Sequence, residues 1–123
     1  MEKRRDNVVM DKSYAFALEV IEIYKFLIKE QKEFVLSRQL LRSGTAIGAL
    51  IKEAEHAQSK ADFLNKMNVA LKEANETDYW LDLLKDAEFL SDERIIKTKE
   101  NVKSIIRLLA SIVKTTKNSL GKS

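Results

Sequence analysis

No proline interrupts this chain, and its apolar residues recur at three- and four-residue spacing almost from one end to the other. That is the period of a helix with one buried side; half-buried strands would alternate every second residue. Only three glycines and no cysteines occur in 123 residues, so the chain lacks both the punctuation of tight strand connections and any disulfide framework. A chain of this length makes one domain and buries roughly two-thirds of its unfolded surface when it folds alone.

Four helical segments follow from the pattern. The first spans residues 11–31, where Tyr14, Ala17, Leu18, Ile21, Tyr24, Phe26, Leu27 and Ile28 form a broad apolar face and Asp11 or Ser13 serves as cap. The second spans residues 35–57, with a poorly marked start because the connector 30–33 holds no breaker. Ser59 caps the third, with Asp62 three residues on to return a carboxylate to a free amide, and this helix runs to residue 88. Ser91 caps the fourth, with Asp92 and Glu93 in its first turn and Leu90 stapling onto Ile95; it runs to residue 116. Short connectors force neighbouring helices to be antiparallel. The expected fold is all-α, an up-down-up-down four-helix bundle in one domain over residues 1–123, with an N-terminal arm at 1–10 and a frayed tail at 117–123.

Composition removes several functions. With no cysteine and a single histidine, His56, the chain has neither thiolate chemistry nor the usual acid-base toolkit. No stretch is long and apolar enough to span a membrane, and the charged start leads into no signal-peptide core, so the expected location is cytoplasmic. Glu53-Ala54-Glu55-His56 and Glu73-Ala74-Asn75-Glu76 resemble the ligand spacings of ferritin-like metal bundles, but no second histidine exists to complete such a site. A structural role fits Glu53, Glu73 and Glu76 better, as partners of Arg38 or Arg42 that fix helix register. No arginine stands four to six residues before His56, as a helical-bundle ribonuclease would need, and no phosphate-binding glycine loop is present. The expectation is therefore a protein without catalytic residues, metal or cofactor. Tyr79-Trp80 reads as core or interface packing.

Two features point elsewhere. Gly44 and Gly48 lie on one face of the second helix, near Ser37 and Leu41, where another backbone can approach closely, either inside the chain or between subunits. Val35, Ala46 and Ala49 make that helix apolar nearly all round, which favours a subunit contact. Charge is the second feature. A net +3 hides three Lys/Arg against nine Asp/Glu over residues 62–93, and eight against one over residues 94–123. On a helical wheel Lys99, Lys103, Arg107, Lys114 and Lys117 fall within roughly 80°, a stripe about 27 Å long interrupted only by Ile96. Such a row neutralises phosphates. It holds no aromatic residue, which favours phosphate or shape reading over base stacking.

The run Lys12-Ser13-Tyr14-Ala15-Phe16-Ala17-Leu18 and the stretch Arg38-Gln39-Leu40-Leu41-Arg42-Ser43-Gly44-Thr45-Ala46-Ile47-Gly48-Ala49 belong with three further motifs. These are Glu53-Ala54, Ser59-Lys60-Ala61-Asp62-Phe63 and Ala70-Leu71-Lys72-Glu73-Ala74-Asn75-Glu76-Thr77. Together they resemble the bacterial four-helix-bundle family associated with 23S rRNA intervening sequences, itself similar to the accessory protein of diversity-generating retroelements. The chain departs from that pattern at Ala46 and Leu50, where members often carry serine and asparagine. The resemblance implies a cytoplasmic, non-catalytic bundle that assembles into homopentameric rings and associates with RNA. An adaptor ring that docks a partner enzyme is the alternative, and a ferritin-like metal bundle a more distant one.

Overall fold

The computed structural model describes residues 2–121, with side chains from Asn7 onward. Four helices make up the fold: α1 (Glu2–Lys29), α2 (Leu36–Glu55), α3 (Lys60–Asp86) and α4 (Asp92–Gly121). Helices α1 and α3 each pack on α2 and α4, and neither diagonal pair is in contact, which is the square arrangement of an up-down-up-down bundle.

The buried positions explain why. In α1 they are Val9, Ser13, Phe16, Val20, Ile23 and Leu27; in α3, Met67, Ala70, Ala74, Thr77, Leu81 and Leu84. Each set steps by alternating threes and fours, the 3.5-residue repeat that keeps one seam facing its neighbours along the whole helix. Leu40, Ile47 and Ile51 of α2 and Ile95, Val102, Ile105 and Leu109 of α4 close the same core. Full burial of each large side chain stabilises by roughly 1.5–3 kcal/mol.

This seam also corrects the expected start of α1. Val9 is fully buried, so the helix continues back through the charged run to Glu2 and residues 2–10 are not an arm. Ser13 is no cap; its hydroxyl donates to the Met10 carbonyl at 2.9 Å inside the helix. At the other end α4 continues through Lys117 to Gly121, because Thr116 is still buried and nothing before Gly121 breaks the helix. Met1 of the expected arm and Lys122 and Ser123 of the expected tail lie outside the described residues.

Ser59 and Ser91 cap α3 and α4 as expected, accepting from the Asp62 and Arg94 amides at 3.0 and 3.2 Å. Asp62 returns a bond to the Gln58 amide at 3.3 Å. The start of α2 is built differently. Glu33, two residues before the N-cap Val35, folds its carboxylate over the first turn and accepts from the amides of Val35, Leu36 and Ser37 at 3.2, 3.0 and 2.6 Å. Ser37 answers by donating its hydroxyl to the Glu33 carbonyl at 2.7 Å. Burial alone would raise the Glu33 pKa; the three amides and the Ser37 side chain outweigh it and hold the carboxyl below its ordinary value.

Two connectors turn without glycine. Lys32 has φ 55 and Glu88 φ 67, the left-handed region. Around Glu88 the Phe89 amide donates to the Leu84 carbonyl and the Glu88 amide to the Lys85 carbonyl, a Schellman closure of α3.

Candidate nucleic-acid interface

The antiparallel pairing of α3 and α4 is set by two contacts. Lys99 meets both Asp78 and Asp82, the latter at 2.6 Å, and Lys60 donates to Ser119 at 2.6 Å near the other end. Lys99 is only 17% exposed and Asp78 22%. Burial would lower the lysine's pKa, but the hydrogen bonds and charges of Asp78 and Asp82 prevail and hold it above the ordinary lysine value. Lys99 is therefore a clamp between helices rather than a member of the presented stripe. Lys103 also leans toward Asp78, at 3.8 Å.

Arg107, Lys114 and Lys117 are exposed, and no carboxylate pairs with them among the described residues. The free part of the stripe is thus its C-terminal half, about 15 Å from Arg107 to Lys117. Pairing also redistributes the charge read along the sequence. In that register residues 79–86 of α3 lie beside residues 93–100 of α4, and together hold four carboxylates and four cations. Residues 60–78 lie beside 101–119, with seven cations against four carboxylates, Asp62, Glu73, Glu76 and Asp78. Pairing thus balances the first part of α4 and leaves a cation surplus toward its end.

The glycine face turns inward. A Cβ on Gly44 would lie 2.8 Å from both methyls of Val20, and one on Gly48 would lie 3.3 Å from the Ser13 hydroxyl, so both glycines let α1 approach α2. Ser37 is buried in the Glu33 cap and Leu41 packs against the core. Apolar surface remains on the outer side of the same helix pair. Tyr14 and Leu18 are 69% and 52% exposed, and with Ala17, Ile21, Gly48 and Ala49 they border an open hollow of about 670 Å³.

Of the register pairs expected from sequence, Arg42 bridges Glu73 at 3.3 Å and Glu76, tying α2 to α3, and Glu76 also accepts from the Trp80 indole at 3.3 Å. Beneath it the buried Ser43 and Thr77 hydroxyls hydrogen-bond at 2.9 Å. Glu53 departs from the expectation: its partner is Lys66, at 3.5 Å, while Arg38 is exposed and makes no ion pair among the described residues. Neither Arg38 nor Arg42 reaches Glu53, because Glu53 lies about three turns further along α2 than Arg42. His56 caps α2 at the surface, and no group of three or more His, Cys, Asp or Glu side chains among the described residues could hold a metal ion. Sequence reasoning missed the Glu33 cap and the Asn101 amide that donates to Glu19 at 2.7 Å, linking α4 to α1. Among the described residues no helix is long and apolar enough to cross a membrane.

Comparison with known proteins places this architecture. No curated protein matches the chain. A solved structure from Bacteroides thetaiotaomicron, described as a protein of unknown function from the S23 ribosomal protein family, is 57% identical over 89% of this chain and 98% of that one, with a TM-score of 0.87. The family model described as 23S rRNA-intervening sequence protein matches residues 5–111. The helical seams, the Arg42 bridge and the α4 cations up to Arg107 all fall inside that span, and the chain belongs to the 23S rRNA-intervening sequence protein family.

Proposed function

We propose that this protein is a non-catalytic, self-associating bundle that holds structured RNA by its phosphates. One observation carries the reading: Arg107, Lys114 and Lys117 project from a 21-residue stretch of α4, residues 101–121, that contains no carboxylate. Ion pairs satisfy the cations nearer the start of α4, at Lys99 and Lys103, and leave these three for a polyanion. The family description, which names 23S rRNA, supports RNA over other polyanions. A ring of five, each copy presenting one such surface, is what the family resemblance implies, and it would multiply contacts that are individually weak. The cytoplasm is where such an RNA would be met.

Replacing Arg107, Lys114 and Lys117 together with glutamine should weaken binding to a folded rRNA fragment and lower the steepness of its salt dependence by about two to three units of log K per log salt. The check is a set of binding titrations between about 50 and 200 mM salt. Unchanged affinity and slope would reject the reading. The adaptor alternative is favoured by the apolar hollow between α1 and α2, which suits a protein surface better than a nucleic acid.

A further inference from the structure

The α4 cations do not stand alone. The register set by Lys99 with Asp78 and Asp82, and by Lys60 with Ser119, puts Arg107 level with Lys72 of α3 and Lys114 level with Asn65. On the solvent side of α3, Asn65, Asn68, Lys72 and Asn75 are all exposed. Asn68 and Asn75 are seven residues apart, two helical turns and about 10.5 Å on one face. Arg107 and Lys114 have the same separation on the adjoining helix, whose axis lies about 8–10 Å away. The amides flank a shallow hollow of about 290 Å³ lined by Asn68, Val69, Leu71, Lys72 and Asn75.

The chemistry of this second row differs from the first. A cation reads phosphate and is indifferent to the sugar, whereas a carboxamide both donates and accepts, as a ribose 2′-hydroxyl does. The side chains of Asn65 and Asn68 make no hydrogen bond among the described residues, and that of Asn75 uses only one N–H, donating to the Leu71 carbonyl at 3.1 Å. No carboxylate lies between Asp62 and Glu73 on α3 to repel a strand, and Glu73 itself is turned to Arg42. The nearest exposed aromatic on α3, Tyr79, lies one turn beyond Asn75 with its ring set edge-on to Trp80, so no row of aromatics runs along Asn68, Lys72 and Asn75 as a stacking platform for splayed bases. We infer that α3 and α4 form one composite surface for double-stranded RNA, in which Arg107, Lys114 and Lys117 neutralise phosphates while Asn68 and Asn75 engage 2′-hydroxyls across the shallow minor groove.

This inference rests on the α4 reading above and adds discrimination between RNA and DNA. The probes are a 16-base-pair RNA hairpin and a DNA hairpin of the same sequence, titrated at several salt concentrations against the full chain. The wild type should prefer RNA. Asn68→Ala with Asn75→Ala should reduce that preference by roughly tenfold, the loss of two ordinary hydrogen bonds, and leave the salt slope unchanged. Lys72→Gln should instead lower the slope by about one unit. All three sites are exposed, and a melt within a degree or two of wild type would show that each variant folds. Equal wild-type affinity for both hairpins, or an undiminished RNA preference in the double alanine variant, overturns the inference. The α4 reading survives that result if the Arg107, Lys114 and Lys117 variant still loses affinity. Binding to neither hairpin by the wild type sinks both.

Discussion

Glu33 shows how much one side chain decides at the start of a helix. Its carboxylate satisfies three of the amides that a helix N-terminus leaves unpaired, and it does so from two residues outside the cap position, where serine, threonine or aspartate would ordinarily be sought. The reach is possible because Lys32 takes a left-handed conformation and turns the chain back on itself. Glu33→Gln should cost about 1–2 kcal/mol at neutral pH, since charge-assisted bonds become neutral ones. The sign with pH follows from the lowered pKa. Stabilisation by the carboxylate is fully present above the ordinary value of 4.5 and is lost as pH falls through the lower folded value. Urea melts of wild type and variant should therefore converge as pH drops below about 4. A gap that stays constant into acid would show that the charge of Glu33 contributes nothing. Lys99 has the opposite sign: its clamp holds below the ordinary lysine value and is lost as pH rises through the raised one.

Among whole elements, the pair α1 and α2 separates two glycines that look equivalent in sequence. An added methyl at Gly44 meets both Val20 methyls at 2.8 Å and the Val20 Cβ at 3.2 Å, and Val20 is fully buried with a stiff side chain. Overpacking of this kind costs about 1–3 kcal/mol, against a gain of about 1 kcal/mol in helix propensity. Gly44→Ala should therefore destabilise by up to about 2 kcal/mol. Gly48→Ala meets only the Ser13 hydroxyl at 3.3 Å, and propensity should bring it near neutrality. Thermal melts of the two variants decide the matter; equal shifts would mean that close approach at Gly44 is not what glycine supplies. The helix boundaries read less clearly. A charged run looks like an arm until Val9 is seen to continue the α1 seam, and α3 ends at Asp86, two residues short of the expected end, with Glu88 making the turn and no glycine to announce it.

For the molecule as a whole, the cation surplus of α3 and α4 lies toward the end of α4, and α1 and α2 carry an apolar outer strip. That strip is where we place the proposed self-association, because an exposed Tyr14 and Leu18 beside Ala17, Ile21 and Ala49 leave apolar area in water that a second copy would cover. Leu18→Glu should lower the solution mass measured by light scattering, with little change in the fold of the subunit. An unchanged mass would move the interface elsewhere. The hollow is bordered by residues of α1 and α2 and by none of the α4 cations, so the same variant should still bind RNA at high protein concentration, with reduced avidity.

The sequence by itself determined the helical class, the number of helices, two of the three caps and the periodicity of every seam, because those depend on residues within a turn or two of each other. It also placed Lys99, Lys103, Arg107, Lys114 and Lys117 on one face of the fourth helix. Only the tertiary structure decided which of them are available. Lys99 and Lys117 coincide on a wheel, yet one is clamped by Asp78 and Asp82 and the other is exposed with no ion pair among the described residues, since the antiparallel return of α4 sets its first half against acids and its second half against amides. Partners about twenty residues away in sequence cannot be read from spacing when the register between two helices is fixed by packing.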